Sequence, residues 1–425
     1  MTAATLRFAE KRETILDGAA RLFNRRGIKA GTLAEVAASV GLATNSLTYY
    51  YRKKEDLVCA CLQRSLAALN GVVADASTAP DLAGRVQSLV LGFLGVLADL
   101  AEQRRPELIF FGDMRALPQP QAEPVFAAYV EMYRGLRRLL RDGPSQASTA
   151  QRRALNARTH LVLGQLLWAR AWLSRFEPTD YPRVANAMVD ILLHGLAAPG
   201  QAWPTDGPPA PVLPSQSEAT NVDELSDAYL RTATRLINDQ GVGGASVERI
   251  AATLALTKGS FYHHHDTKHA LVDACFERSF SLIRSVQLAA LAQAGSGWAH
   301  LLLATLPLVA LHDPALATSA DKAPDKSAGP LLRLTAWTEL PGALRWQKFS
   351  TMNRLGERYA GIITSGLLDG SIRVLDTAVA AQMISGLINS LAEIDHWVAS
   401  EPTAPGAEPL ADIFAKPLLT GLLAA

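Results

Sequence analysis

Cysteine is scarce, with only Cys59, Cys61 and Cys275 among 425 residues. Three thiols leave no even-numbered disulfide framework and suit a reducing compartment. Cys59 and Cys61 are two apart on an expected helix and point roughly 200° from each other, a poor arrangement for a shared metal. Cys61 and Cys275 read as small core residues. Long apolar runs are missing too. No stretch reaches the roughly 18 uninterrupted apolar residues of a membrane span, and the opening MTAATLRFAEKRET lacks the apolar core of a secretory leader. The expectation is a cytoplasmic protein without a membrane segment.

Catalytic signatures are the third absence. SADK (319–322) has the spacing of the serine-lysine pattern of penicillin-binding enzymes, but it lies in a polar stretch and no KTG or SDN partner exists. Gly241, Gly243 and Gly244 sit between two expected helices with no preceding strand, which excludes a nucleotide-binding loop. No zinc signature or hydrolase elbow occurs, and His263, His264 and His265 project about 100° apart on a helix, too divergent to chelate one ion. No catalytic, metal or cofactor site is expected.

Charge of one sign is lacking overall, at net +1, but the balance is local. Residues 1–65 hold eleven Lys or Arg against six Asp or Glu, net +5, whereas residues 221–285 hold seven against eight, net −1. The first segment has the basic footprint of a phosphate binder and the second does not.

What the chain does contain is an internal repeat. Residues 14–65 laid on 228–279, 214 positions apart and without a gap, give 17 identities in 52, among them Leu16/Leu230, Asn24/Asn238, Gly27/Gly241, Lys54/Lys268 and Cys61/Cys275. In the first copy Leu16, Ala19, Ala20 and Phe23 form a helical stripe that Gly27 stops. Thr32 is a natural N-cap, and Glu35 completes a capping box ahead of Val36, Ala37 and Val40. Gly41 turns the chain, a short helix follows from about Thr44 to Tyr50, and RKKEDL (52–57) opens a longer one. The second copy retraces this, with Gly241 as the stop, Ser246 as the cap, Ala255 at the turn and a last short helix near Lys258 to His264. Short helix, tight turn and short helix make a DNA-reading unit.

The rest of the chain, 49 % apolar overall, is large enough for two cores of roughly 200 residues or one core per repeat. Residues 199–217 carry Pro199, Pro204, Pro208, Pro209, Pro211 and Pro214, a linker composition that at about 3.1 Å per residue reaches up to about 60 Å. His312 to Gly329 reads as a polar loop. Each half ends in apolar helical segments, 161–173 with 184–198 and 380–394 with 418–425, in which Gly164, Gly195, Gly386 and Gly421 would let a neighbouring backbone pack closely. Such pairs either build a four-helix interface or serve as ordinary core of each half.

The pattern of 12–57, and again of 229–271, resembles the N-terminal domain of the TetR family of transcriptional regulators. Cap, turn, recognition helix, aromatic cluster and following lysine occur in order, twice. The likeness covers roughly 120 residues, and the remainder resembles the family only in being helical and of suitable length. It implies an all-α fold of two repeats, each a helix-turn-helix domain followed by a helical effector and dimerisation domain, arranged as an intramolecular pseudo-dimer. The corresponding bounds are 1–60, 61–198, a linker at 199–220, 221–275 and 276–425. Lys258, Gly259 and Tyr262 stand where the family carries lysine, glycine and tyrosine; the first copy departs with Thr44, Asn45 and Thr48. An unequal pair of readers predicts an asymmetric operator.

The resemblance implies roles for individual residues. Thr44, Asn45, Ser46, Lys258 and Ser260 are placed to bond base edges or phosphates of a double-stranded operator. Thr32 and Ser246 cap, and in the family also touch phosphate. Tyr49, Tyr262 and His263 sit at backbone-contacting positions, and Lys54 and Lys268 at a phosphate-binding helix start. Of Tyr49, Tyr50 and Tyr51, helical spacing puts one ring inside, Tyr51 against Leu57. The helical domains of the family enclose an apolar pocket, so Phe110, Met114, Tyr129, Trp168, Trp172, Trp337, Trp346 and Trp397 are candidate contacts for a small apolar or aromatic effector, with plain core as the other reading. The functional expectation is a ligand-responsive repressor, monomeric as a pseudo-dimer. Its rival is a ligand-binding or protein-interaction module whose DNA binding has decayed.

Overall fold

The computed structural model describes residues 3–28, 31–109, 114, 117–142, 148–204, 221–244, 249–250, 267–313, 329–394 and 408–424. Their regular structure is helical, with a single isolated β-bridge between Ala197 and Ile372. The chain divides into two compact units, Met1–Asp142 with Leu173–Asn186, and Gly143–Trp172 with Ala187–Ala425.

The first unit is built around α4, Lys54–Ala76, which packs against α1 (Ala3–Arg26), α5 (Leu82–Ala101) and α6 (Gln119–Leu139). Leu57, Val58, Cys61, Leu62, Leu66, Leu69, Val72, Val73 and Ala76 are buried along α4, the spacing of a broad apolar stripe. α2 (Leu33–Ser39) and α3 (Thr44–Tyr50) pack on each other, with α2 against α1. Asp81 caps α5 by accepting from the Gly84 amide at 2.7 Å. By length and composition α4 and α5 are apolar enough to cross a membrane, but that is weak evidence of a span for helices packed among these neighbours.

The second unit contains α7 (Thr149–Trp172), the later part of α8 (Tyr181–His194), α9 (Asn221–Gly244), α10 (Lys268–Leu291), α11 (Gly297–Ala310), α12 (Gly342–Asp369), α13 (Thr377–Ser390) and α14 (Lys416–Leu419). α9 breaks at Gly241, where φ is 71°, matching the stop at Gly27 with φ 82°. α10, α11, α12 and α13 pack in succession, and α7 lies along α13 and the segment Ala411–Ala415.

The α7–α13 contact therefore joins the two halves of the sequence, and glycines make it close. A Cβ on Gly164 would lie 2.9 Å from Cβ of Ser390, and one on Gly386 would lie 2.7 Å from Cδ1 of Trp168. The relation is reciprocal: in each helix the residue four after the glycine covers the glycine of the other. His160 Nε2 pairs with the Ser390 carbonyl at 2.8 Å, and Gln165 Nε2 donates to the Met383 carbonyl at 3.0 Å. The ends of the halves repeat the theme. Leu196 N donates to Leu419 O at 2.8 Å and Leu422 N to Leu192 O at 2.8 Å. Gly195 (φ 70°) and Gly421 (φ 99°) sit at this crossing, each against the backbone of the other segment.

Candidate nucleic-acid interface

The first helix-turn-helix is assembled by its caps and one buried anchor. The Thr32 hydroxyl accepts from the Glu35 amide at 3.2 Å, and the Glu35 carboxylate accepts from the Thr32 amide at 3.0 Å. The expected capping box is therefore present. The Thr32 hydroxyl also donates to the Glu35 carboxylate at 2.9 Å, and this bond, the Thr32 amide and the paired Arg26 guanidinium hold the Glu35 carboxyl below its ordinary range. α3 begins at Thr44 without a side-chain cap and is held by Leu47, which is fully buried. Burial of one leucine contributes about 1.5–3 kcal/mol.

This anchoring leaves Thr44, Asn45 and Ser46 exposed at the start of α3 and Tyr49 exposed one turn further on. Tyr51 points the other way and is buried, as is Leu57. Its hydroxyl accepts from Arg12 Nε at 2.9 Å, and burial raises its pKa. Lys54, expected at a phosphate, has its ammonium 3.0 Å from the Ile28 carbonyl, so it ties the start of α4 to the turn after α1. Exposed Arg25, Arg26, Arg52 and Lys53 surround the motif and supply its positive charge. Sequence reasoning missed Phe8, whose ring contacts both Tyr49 and Tyr50. The signal was a lone aromatic residue among the charged first turns of α1.

In the second copy Lys268 is exposed at the first position of α10, behind Thr267, whose hydroxyl accepts from the Ala270 amide at 3.1 Å. Ser246, Lys258, Gly259, Ser260, Tyr262 and His263 lie outside the described residues. Burial pushes the Cys61 thiol up to about 12 and the Cys275 thiol to about 11, so both remain neutral core groups. Among the described residues no group of His, Cys, Asp and Glu is placed to hold a metal ion.

The candidate effector contacts scatter. Trp168 and Trp172 are buried on α7, Met114, Tyr129 and Trp337 are half-buried, and Trp346 is exposed and tilted against Phe349 with centroids 5.9 Å apart. Phe110 and Trp397 lie outside the described residues. A cavity of about 700 Å³ occurs elsewhere, between α4, α5 and the start of α8, with Gly71, Gly92, Gly95, Asp99, Arg105 and Tyr181 in its wall. None of the named aromatic or methionine candidates lines it.

Comparison with known proteins places the motif. The model of the family described as bacterial regulatory proteins, tetR family, matches residues 15–61 and 230–275. The TetR family transcriptional regulator PfmR from Thermus thermophilus is 22 % identical over 42 % of this chain and 95 % of its own, with a TM-score of 0.33. Apo AibR is 20 % identical over 45 % of this chain and 95 % of its own, also at 0.33. AibR in complex with isovaleryl coenzyme A and operator DNA is 19 % identical over 46 % and 97 %, at 0.33. No curated protein matches the chain. Helical architecture and duplicated motif define a helix-turn-helix protein of the DNA-binding regulator class. More particularly, residues 15–61 and 230–275 are two domains of the TetR N-terminal type in tandem.

Proposed function

We propose that this chain is a ligand-responsive transcriptional repressor, acting in the cytoplasm, that reads an asymmetric operator with two unequal recognition helices of one polypeptide. The observation that carries the reading is the exposed Thr44, Asn45, Ser46 and Tyr49 surface over the buried Leu47, in one of two tandem TetR-type domains. In this reading Thr44, Asn45 and Ser46 meet base edges from the first copy, and Lys258 and Ser260 do so from the second, with Gly259 allowing close approach. Thr32, Tyr49, Lys54, Ser246, Tyr262, His263 and Lys268 meet the phosphate backbone. Lys54→Ala should weaken binding across sequences and reduce the salt slope by about one; an unchanged slope removes it from the phosphate contacts.

The two halves form an intramolecular pseudo-dimer in this reading. What supports it is the reciprocal glycine packing of α7 on α13 and the crossed backbone bonds at Leu196 and Leu422. Trp168 then serves the junction rather than a ligand. The effector is a small apolar or aromatic molecule, and the glycine-walled cavity on α4 and α5 offers it room: a Cβ at Gly71 or Gly95 would meet open space. Such a ligand acts by preferring an arrangement whose readers do not match successive major grooves, roughly 34 Å apart.

Selection from a random duplex pool, run beside light scattering, tests the whole. Recovery of an imperfect, asymmetric repeat by a species of one 45.5 kDa chain is the expected result. A mass of two chains replaces the pseudo-dimer by four readers. No enrichment at low salt replaces the repressor by a decayed ligand- or protein-binding module, the alternative favoured by the net −1 of residues 221–285.

A further inference from the structure

We propose that Phe8 is a positioning residue of the DNA interface, forming with Tyr50 an aromatic brace that holds the Tyr49 side chain in place on the exposed face of α3. The role rests on the DNA-binding reading above. Phe8 lies in the second turn of α1, where residues 5–10 are all exposed, ahead of the buried stripe that begins at Ile15 and Leu16. Its ring stacks on Tyr50 with centroids 4.8 Å apart and planes 25° from parallel. Tyr49 stands edge-on to both, 6.2 Å and 83° from Phe8, and 5.4 Å and 89° from Tyr50. These are the arrangements that ring quadrupoles favour.

Burial alone does not account for the cluster. Tyr50 is half-buried, but Phe8 remains 42 % exposed and Tyr49 77 % exposed. What the cluster fixes is direction. Tyr49 is one turn from Asn45 on the surface that Leu47 turns outward, and a free tyrosine there would surrender its rotamer freedom on meeting a phosphate. A side chain already held by two rings has less freedom to lose. The neighbouring Tyr51 is fixed differently, by burial and by Arg12, which leaves the brace to Tyr49 and Tyr50 alone. The gapless repeat puts Val222, His263 and His264 at the places of Phe8, Tyr49 and Tyr50, so only the first copy has this set of three rings.

The test uses the full chain carrying 3-fluorotyrosine, with the Tyr49 fluorine resonance assigned by Tyr49→Phe, and a duplex recovered by selection. Phe8→Ala is expected to shift the Tyr49 resonance in the free protein and to weaken duplex binding between about twofold and tenfold. The melting midpoint should hold, because the lost ring is a surface one. Phe8→Trp should restore both resonance and affinity, and in a Tyr49→Ala background Phe8→Ala should have no further effect on affinity. A shifted resonance with unchanged affinity overturns the positioning role. An equal loss in the Tyr49→Ala background also overturns it, by showing that Phe8 acts through another group. If the wild-type chain binds no duplex while Phe8→Ala still shifts the resonance, the DNA reading fails and the positioning role goes with it, although the brace stands.

Discussion

Among the described residues, the two helix-turn-helix copies share the side chains that bond to neighbouring backbone and differ in several apolar core residues and ion pairs. Cys61 Sγ lies 3.7 Å from the Leu16 carbonyl, and Cys275 Sγ lies 3.8 Å from that of Leu230. Arg64 pairs with Glu13 at 3.1 Å and Arg278 with Asp227 at 2.8 Å. Asn24 and Asn238 each donate to a backbone carbonyl at 2.8 Å, Leu108 in one case and Leu331 in the other, and Ser65 and Ser279 accept the amides of Ile109 and Leu332. Outside, Arg26 pairs with Glu35, whereas the equivalent Gln240 accepts from Arg249 at 2.6 Å. Asp273 and Glu277 hold the buried Lys348 where the first copy has Cys59 and Gln63. Identity between the copies thus records how α1 is tied to α4, and α9 to α10, and how both pairs are tied to the non-helical segments at Leu108–Ile109 and Leu331–Leu332. It says little about what either reads, since Ser46/Ser260 is the one identity between 43–51 and 257–265.

The comparison is hardest to break where the halves meet, and there the largest effect is expected. Gly195 and Gly421 both have positive φ, and a Cβ at either would come within 2.5 Å of a carbonyl oxygen, Leu419 or Leu193. Gly195→Ala and Gly421→Ala should each destabilise the chain by about 2–5 kcal/mol, combining left-handed strain with a clash against unyielding backbone. Urea unfolding of the two variants checks it. Similar losses support a reciprocal crossing, and a large loss at one glycine with none at the other removes the reciprocity.

Much of this was legible in the sequence. The stripe from Leu16 to Phe23, the Thr32–Glu35 box and the inward Tyr51 follow from local periodicity and cap chemistry, which act within a few residues. Of the four glycines expected to interrupt apolar helices, Gly164 and Gly386 do so, whereas Gly195 and Gly421 lie just beyond helix ends at positive φ. The brace at Phe8 and the Asn24 and Ser65 contacts were not legible, because they join positions 41 to 84 residues apart with no pattern between them. Lys54 shows the same limit. Its recurrence suggested a phosphate ligand, and its bond to the Ile28 carbonyl gives a recurrent lysine an internal use as well.

A smaller, unequal effect is expected at the asparagines. Asn238 is 7 % exposed and bonds twice, donating to Leu331 and accepting from the Arg333 amide at 2.9 Å. Asn24 is half-buried, with the Leu108 carbonyl at 2.8 Å and Glu107 at 3.2 Å. Replacement by alanine strands buried backbone groups in the second copy and partly wetted ones in the first. About 2–3 kcal/mol for Asn238→Ala against about 1 kcal/mol for Asn24→Ala is expected. Equal values in urea unfolding would mean that the two clamps are alike in solvent access.

The smallest effect is confined to one copy and depends on pH. Glu35, held below its ordinary range by the Thr32 hydrogen bonds and Arg26, binds a proton less readily folded than unfolded. Its contribution is therefore complete above the unfolded carboxylate value and is lost as pH falls through that value towards the folded one. Thr32→Ala should cost about 1 kcal/mol at neutral pH, and that cost should shrink as the medium is acidified and the wild-type box itself opens. The second copy has Arg249 at the place of Glu35, so Ser246→Ala should cost the same at either end of the range. Melting of both variants between neutral and acid pH decides the point: a pH-dependent loss at Ser246 would show that another carboxylate completes the second cap, and the two copies would be more alike in their caps than their sequences are.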